Sequence, residues 1–490
     1  MRQHRAVRRN DRRLRATGQQ ARERILTRSI LPVLIIGGGF TGAAVAFHLG
    51  RSGDGRVLPV TVIEPRPSLG GGVAYSSPDP AHRINVPASR MSLVPDDGEH
   101  FSRWLSETDA LADDPDAFRP NGDAYPRRLV FGRYVAAHLA PLIERGHVRH
   151  VRAEARHIAR IPEGWQVTLS NGDVLSAERL VLAASHPIPS LPRELASLKG
   201  SERLVADPYA EDALEGIAPD ASVLILGTGL TAADMVASLD ARGHHGPILM
   251  LSRRGLRSRG HAAISTDPFG DFASAPAATV RDLLGAIHRN LDAAQKANLS
   301  WHPVFDALRE QGTPIWLGLS VAERQKLVRR LRPFWDVHRF RIAPQVEAVL
   351  DRRIAEGTLL LHAGRVISAE PSPERGIAVT FRLRGSTEAR TELFDAVINT
   401  TGPAHREVIT GSTAFQDLAD HGALGLDPYG LGLNTDSQSR ALDKEGNPDP
   451  SLLIAGPLAR GAYGELMGLP QVSRHAEFIA AEARREAAGI

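Results

Sequence analysis

The segment Gly37-Gly-Gly-Phe-Thr-Gly42 stands directly behind an apolar run of strand type, Leu31-Pro-Val-Leu-Ile-Ile36, and directly before an apolar helical run, Ala43 to Leu49. Strand, glycine-rich turn and helix in that order commit this part of the chain to a parallel sheet covered by helices. Glycine is needed because the chain turns tightly, its backbone approaches a pyrophosphate, and the helix packs close to the strand. Free amides at the helix N-terminus then hold the phosphates. The next strand, Val60-Thr-Val-Ile63, ends in Glu64, 22 residues past Gly42, where a carboxylate can accept hydrogen bonds from ribose hydroxyls. An ordinary turn accounts for an isolated G-x-G-x-x-G, but not for all of these elements in sequence.

The same arrangement recurs 190 residues further on, where Gly227-Thr-Gly-Leu-Thr-Ala232 follows Val223-Leu-Ile-Leu226 with alanine in the third glycine position. A period of roughly 20 to 50 residues would indicate a solenoid; this spacing instead indicates two nucleotide-binding units. The second unit's next strand, Ile248-Leu-Met-Leu-Ser252, ends without an acid, in Ser252 followed by Arg253 and Arg254. A carboxylate there would repel a ribose 2′-phosphate, whereas Arg binds one bidentately, so NADPH is expected over NADH. The alternative is a solvated, charged strand end.

Between the two units, Pro- and Gly-rich loops span Pro65 to Asp97, a helix is read at Arg133 to Glu144, and Asn171-Gly172-Asp173 marks a hairpin after a strand at Gln166 to Leu169. Apolar spacing at Leu283, Leu284, Ile287 and Leu291, and again at Leu327, Leu331 and Phe334, reads as amphipathic helices. Strand patterns return at Leu359 to Leu361, Ala378 to Leu383 and Ala396 to Asn399, and a closing helix is expected over Val472 to Ala488. The fold class is therefore α/β, with two Rossmann-like dinucleotide-binding domains and a helical insert.

Composition narrows the chemistry. None of the 490 residues is cysteine, which excludes disulfides, thiolate metal sites and the dithiol of a disulfide reductase, and suits a cytoplasmic protein. Ten arginines against Asp11 and Glu23 give the first 30 residues a charge of +8, leaving −5 for the rest of a chain that carries +3. The basicity therefore belongs to a leader, read as a disordered extension, an upstream start or an organelle address, and the body offers no nucleic-acid surface. No apolar run approaches the roughly 20 residues of a membrane span. His244-His245 lacks further ligands at metal-binding spacing, and no metal site is expected.

Further segments carry a resemblance: Gly71-Gly-Val-Ala-Tyr75, His82-Arg-Ile-Asn-Val-Pro-Ala-Ser-Arg-Met91, Ser252-Arg-Arg-Gly255, Trp335-Asp-Val-His-Arg339, Val397-Ile-Asn-Thr-Thr-Gly402 and Gly456-Pro-Leu-Ala-Arg-Gly461. With the two glycine loops, residues 31 to 490 resemble the FAD-NAD(P)-binding family and, more distantly, class B flavin monooxygenases of the N-hydroxylating type. Two segments depart from the flavoprotein pattern: Leu182-Ala-Ala-Ser-His186 lacks its glycine, and Gly456-Pro457 replaces a Gly-Asp pair.

The resemblance implies FAD on the first unit, through Gly37, Gly38, Gly39, Phe40, Thr41, Gly42 and Glu64, and NADPH on the second, through Gly227, Thr228, Gly229, Leu230, Thr231, Arg253 and Arg254. It places the 71–91 stretch beside the flavin, with Asn85 at the ring's polar edge, and points the helix that starts at Pro470 toward the pyrimidine end. The implied domains are a tail at 1–30, an FAD-binding domain from 31–205 and 401–490, an NADPH-binding domain from 206–275 and 351–400, and the helical insert at 276–350.

Cations and aromatic rings interleave in Arg332-Pro-Phe-Trp-Asp-Val-His-Arg-Phe-Arg341. His338, Arg339 and Arg341 are candidates for holding an anionic substrate group, against the alternative of a structural ion-pair cluster. The activity implied is an FAD- and NADPH-dependent oxidoreductase, foremost a monooxygenase acting on the nitrogen of a small polar amine or amino acid, acidic substrates included. A reductase delivering electrons to a quinone or protein, and a flavin-binding regulatory protein without turnover, are the alternatives. No catalytic residue is assigned, and the oligomeric state stays open.

Overall fold

The computed structural model describes residues 30–51, 57–185, 187, 190–372, 376–402 and 404–485, so the arginine-rich leader and His186 lie outside the described residues. Strand β1 (Leu31–Ile36) buries Val33 to Ile36 and runs through the glycine turn into helix α1 (Phe40–Gly50), nearly all of which is buried. Parallel to β1 lies β2 (Val60–Ile63). After the loops come α2 (His100–Glu107) and α3 (Arg128–Glu144), which begins five residues before the expected helix. The apolar pattern fails there because Arg128 is itself buried, held by an ion pair to a later helix.

Strands β3 (Val148–Val151), β4 (Ala155–Ile161), β5 (Gly164–Leu169) and β6 (Val174–Leu182) follow, with the expected hairpin between β5 and β6 turning at Gly172, φ +85°. The next strand, β7 (Leu204–Val205), already pairs with the second sheet, and Leu195 and Leu198 pack in that sheet's core. The chain therefore crosses between domains earlier than the 205/206 boundary read from the sequence.

The second unit opens with β8 (Val223–Leu226), α4 (Leu230–Ala241) and β9 (Ile248–Ser252). Five helices then form the insert: α5 (Val280–Lys296), α6 (His302–Glu310), α7 (Gly312–Gly318), α8 (Val321–Arg330) and α9 (Arg332–Arg339). Thr279 and Ser320 accept hydrogen bonds from the amides of Asp282 and Glu323, capping α5 and α8. The insert has a core of its own around Phe272, Leu283, Val304, Leu308 and Ile315.

Helix α10 (Pro344–Ala355) straddles the expected end of the insert at 350. Its Val346 and Leu350 pack in one core with Met235, Val236 and Leu239 of α4. It is the crossover helix from β9 to its parallel neighbour β10 (Leu359–Pro371), which continues antiparallel into β11 (Ile377–Leu383) and β12 (Ala389–Phe394) before β13 (Ala396–Asn399) returns beside β8. The second sheet has the order β12-β11-β10-β9-β8-β13-β7.

The chain then re-enters the first sheet through α11 (Thr413–Asp420), β14 (Arg440–Leu442), β15 (Pro448–Ile454), the single turn α12 (Arg460–Tyr463) and α13 (Gln471–Arg485). The order there is β14-β15-β6-β1-β2-β3, with the β4–β5 hairpin attached at β6. Helix α13 shares a core with α1, and Arg484 donates to the carbonyls of His48, Leu49 and Arg51 at the C-terminal end of α1. No described helix is long and apolar enough to cross a membrane.

Candidate functional site

At the first glycine loop, Gly37 has φ +100°, and a Cβ there would lie 2.7 Å from the carbonyl oxygen of Ala183 on the neighbouring strand's end. A Cβ on Gly42 would come within 1.9 Å of the Gly37 carbonyl, so helix and loop meet without room for a methyl group. Gly39 differs: its nearest neighbour is the Cα of Gly72, 3.4 Å from a Cβ position. Two glycines from distant loops thus meet backbone to backbone, a Cβ on Gly72 standing 2.8 Å from the Gly39 Cα, and Val73 beside them is 41% exposed. A surface bare of side chains at a helix N-terminus suits a flat or anionic group approached by backbone alone.

Glu64 is buried at the end of β2 and accepts from the Gly38 amide (2.8 Å), the Arg66 amide (3.1 Å) and the Arg66 guanidinium (3.0 Å). Its carboxylate sits at the loop, as ribose recognition requires. Phe40 packs against Phe131 and Tyr75, with ring centroids 5.5 and 6.3 Å away. Thr41 abuts Gly456, where a Cβ would lie 2.6 Å from its hydroxyl. Ser473 donates to the Ser92 carbonyl at 2.7 Å, tying α13 to the end of the 71–91 stretch. Loop, stretch and C-terminal segment therefore converge. Asn85 is half-buried, and its carbonyl accepts from His261 Nε2 at 3.1 Å. Burial lowers His261 to about 4, which keeps the ring neutral.

The second loop repeats the first with more open space. Gly227 has φ +128° and abuts Thr400, while nothing lies within 4 Å of a Cβ on Gly229. Thr228 donates to the Leu256 carbonyl (2.5 Å), Leu230 and Thr231 begin α4, and Ser252 accepts from the Gly255 amide (3.0 Å), closing the turn that carries the two arginines. Arg253 is exposed. Arg254 instead lies 4.9 Å over the Phe334 ring and donates to the Arg330 carbonyl at 3.3 Å. Close by, at the end of β13, the fully buried Asn399 has an Nδ2 without a partner.

Sequence reasoning did not find the contacts that lock the units together. Arg128 pairs with Asp234 of α4 at 2.8 Å, both buried, and Tyr209 hydroxyl lies 3.0 Å from Asp234 and 3.2 Å from Thr231. His82, kept below its ordinary pKa chiefly by burial, bridges Ser77 (2.6 Å) and Ser238 (3.0 Å).

Two of the three substrate candidates, His338 and Arg341, meet around Trp301, and Arg339 points away from them. His338 donates to the Phe334 carbonyl (2.7 Å) and stacks on Phe305, and Arg341 pairs with Asp306 at 2.9 Å beside Trp301. Arg339 is buried on Glu465 at 2.7 Å and donates to the Met467 carbonyl at 2.5 Å. It fastens the insert to the segment between β15 and α13. Trp316 donates to the Gly461 carbonyl (2.9 Å) in the same interface, and Arg309 donates to Gln471 (3.0 Å) and to the carbonyl of Leu469, next to Pro470. Burial lowers Arg309 to about 9. Glu465, Asp336 and Arg460 belong to this cluster and were missed, although Arg460 stands in the quoted Gly456-to-Gly461 segment. Among the described residues no group of three His, Asp or Glu is placed to hold a metal.

Two glycine-loop units on two mainly parallel sheets, tied together by Arg128 and Asp234, with a helical insert on the C-terminal segment, define a protein with two dinucleotide-binding domains. Residues 34–187 match the family model described as FAD-NAD(P)-binding. No curated protein matches the sequence. Among solved structures, the reduced form of an ornithine hydroxylase from Pseudomonas aeruginosa is similar at TM-score 0.65 and 18% identity, over 94% of this chain and 100% of that one. An FAD-bound cadaverine monooxygenase from Erwinia amylovora is similar at 0.61 and 14%, over 94% and 95%, and a bacillithiol disulfide reductase from Bacillus cereus at 0.52 and 16%, over 92% and 98%. The fold is thus that of two-domain flavin enzymes.

Proposed function

We propose that this chain is an FAD- and NADPH-dependent monooxygenase that oxygenates the nitrogen of a small polar amine or amino acid. The observation that carries this reading is the pair of glycine loops joined to a helical insert that packs on the C-terminal segment, in a fold that matches an ornithine hydroxylase and a cadaverine monooxygenase over nearly their full length. FAD occupies the first unit, its pyrophosphate on the amides from Gly37 to Gly42 and its adenosine ribose on Glu64, with the ring between the 71–91 stretch and the start of α13. NADPH occupies the second, through Gly227 to Thr231, with Arg253 on the 2′-phosphate. The flavin supplies hydride acceptance and oxygen activation.

The chain's own groups do the rest. The positive end of α13, with Arg309 donating to Gln471 beside it, would favour negative charge on a bound ring. The insert packs on the C-terminal segment through Arg309, Trp316 and Arg339, where it would shield a bound ring from water. A cytoplasmic setting fits a chain that carries no cysteine.

The test uses FAD-loaded protein: NADPH oxidation, oxygen uptake and hydroxylamine formation are followed over a panel of amines and amino acids. Coupled uptake and hydroxylamine support the proposal. Rapid NADPH oxidation that reduces a quinone or a protein acceptor without oxygen incorporation favours the reductase reading, to which the bacillithiol disulfide reductase likeness lends weight. The absence of cysteine rules out passing those electrons through a protein dithiol.

A further inference from the structure

A groove of about 430 Å³ in the first domain contains no residue of either glycine loop. It runs between the β4–β5 hairpin, helix α11 and the turn from β14 to β15. Buried Ile158, Trp165 and Leu418 form its floor, and Asp417, Asp443, Glu445 and Asp449 stand around it against Arg160 and Lys444. The groove already holds one guanidinium: Arg160 lies 4.6 Å over the Trp165 ring and donates to Asp449 at 2.7 Å and to Ser451 at 2.8 Å.

That pair engages Arg160 and Asp449, leaving Asp417, Asp443 and Glu445 against the single ammonium of Lys444. Lys444 and Glu445 are both exposed and 3.7 Å apart, so water screens their attraction. Asp417 and Asp443 are fixed by the backbone: Asp417 accepts from the Ile158 amide at 3.1 Å, and Asp443 from the amides of Glu445 at 2.9 Å and Asn447 at 2.8 Å. Carboxylates preset around a partly apolar groove suit further guanidinium groups and repel anions.

The leader, with ten arginines against Asp11 and Glu23, joins the fold beside this groove. Leu31, the first residue of β1, pairs with Ala177 of β6, and Ala177 pairs on its other side with Trp165 of β5. Two strand spacings put Leu31 about 10 Å from Trp165. Leu31 also packs against the core cluster that contains Ile158, Trp165 and Leu418. An extended chain covers about 3.5 Å per residue, so Arg28 is within reach of the groove and Arg24 and Arg22 have length to spare. We propose that this groove is the docking surface for the chain's own leader, with Arg22, Arg24 and Arg28 on Asp417, Asp443 and Glu445. Docking there is independent of the reaction the two domains carry out.

The test uses the full chain, whose lack of cysteine allows single thiols to be placed at chosen positions. Thr27→Cys is combined with Lys444→Cys at the groove, or with Pro59→Cys directly before β2, which flanks β1 on the side away from β6. A leader without a preferred site reaches Pro59 at least as readily as Lys444. Treatment with a short bismaleimide is expected to cross-link the groove pair at least tenfold faster than the Pro59 pair. The groove rate falls to the Pro59 rate in about 0.5 M salt, where charges are screened within a few ångströms. It falls likewise when Arg22, Arg24 and Arg28 are changed to Gln, and in the double variant Asp443→Asn with Glu445→Gln. Equal rates for the two pairs, or a groove rate that survives salt and both sets of charge changes, overturn the proposal. Cross-links that form only between separate Thr27→Cys and Lys444→Cys chains place a second copy's leader in the groove and overturn docking within one chain. A groove rate equal to the Pro59 rate, in protein that sediments with phosphatidylserine vesicles, assigns the leader's charge to a membrane surface instead.

Discussion

Arg339 and Glu465, 126 residues apart, meet as a buried ion pair with Nη2 and Oε1 2.7 Å apart and each side chain about 95% removed from solvent, at 4% and 5% exposure. Through this contact the insert grips the segment that leads from β15 into α13. The pair couples a helix from the middle of the chain to the C-terminal half of the first domain, so its integrity is a requirement of assembly.

Removing one partner strands the other charge in the interface. Glu465→Ala is expected to cost about 3 to 5 kcal/mol in urea unfolding, whereas the double substitution Arg339→Met with Glu465→Leu recovers most of that loss, because apolar side chains of similar volume need no partner. A double variant as unstable as the single one would show that the loss arises from packing rather than from an unpaired charge.

The two glycine loops respond differently to one added methyl group. Gly42→Ala places a carbon 1.9 Å from the Gly37 carbonyl and pushes α1 away from β1; the expected outcome is protein without FAD and with strongly reduced expression. Gly229→Ala meets nothing within 4 Å, so thermal stability stays near the wild-type value while the KM for NADPH rises, since the methyl group stands where a phosphate approaches. Purified protein colour, melting temperature and coenzyme kinetics read out both; a destabilised Gly229→Ala would contradict the open space.

The order of elements around both loops was legible because strand, glycine and helix signals are local, and Glu64 follows from counting along the chain. The insert was legible for the same reason: Leu283, Leu284, Ile287 and Leu291 carry a 3.6-residue period. What escaped depends on pairs distant in sequence. Arg128 extends α3 backward because Asp234 receives it at 2.8 Å, and no local pattern contains Asp234. Arg339 read as a substrate ligand since a cationic, aromatic stretch looks the same whether its charges face a pocket or a buried Glu465. Arg460 was visible in its motif, but its burial beside Glu465 and Asp336 is a three-dimensional fact.

Arg253 and Arg254 look equivalent in the sequence and are not equivalent in the fold. Arg254 is committed to the Phe334 face and the Arg330 carbonyl, while Arg253 is exposed at the strand end. Arg253→Ala is therefore expected to weaken NADPH about tenfold or more and NADH little, as loss of a charge-assisted hydrogen bond of about 1.5 to 3 kcal/mol predicts. Arg254→Ala should act more weakly and on both coenzymes, through the mobility of the turn. Steady-state kinetics with each coenzyme decide; equal losses for NADH and NADPH in Arg253→Ala would remove this residue from 2′-phosphate recognition.

The last expectation concerns acid. His475 is buried in α13, where Nδ1 accepts from the Gly456 amide at 3.0 Å, so the proton resides on Nε2, 2.8 Å from Ser439 Oγ. Burial lowers its pKa from 6.5 to about 3, and the same cause lowers His48 and His261 to about 4. Above pH 6.5 these rings are neutral whether the chain is folded or not, and they contribute no pH dependence. As pH falls below that value the unfolded chain takes up protons that the folded one refuses, so stability declines by about 1.4 kcal/mol per pH unit for each ring until the folded pKa is reached. His475→Gln, which cannot titrate, should start less stable yet show a slope shallower by about one proton between pH 6 and 4, measured from urea unfolding at each pH. An unchanged slope would mean that His475 is protonated in the fold, with its hydrogen bond to Gly456 reversed or lost.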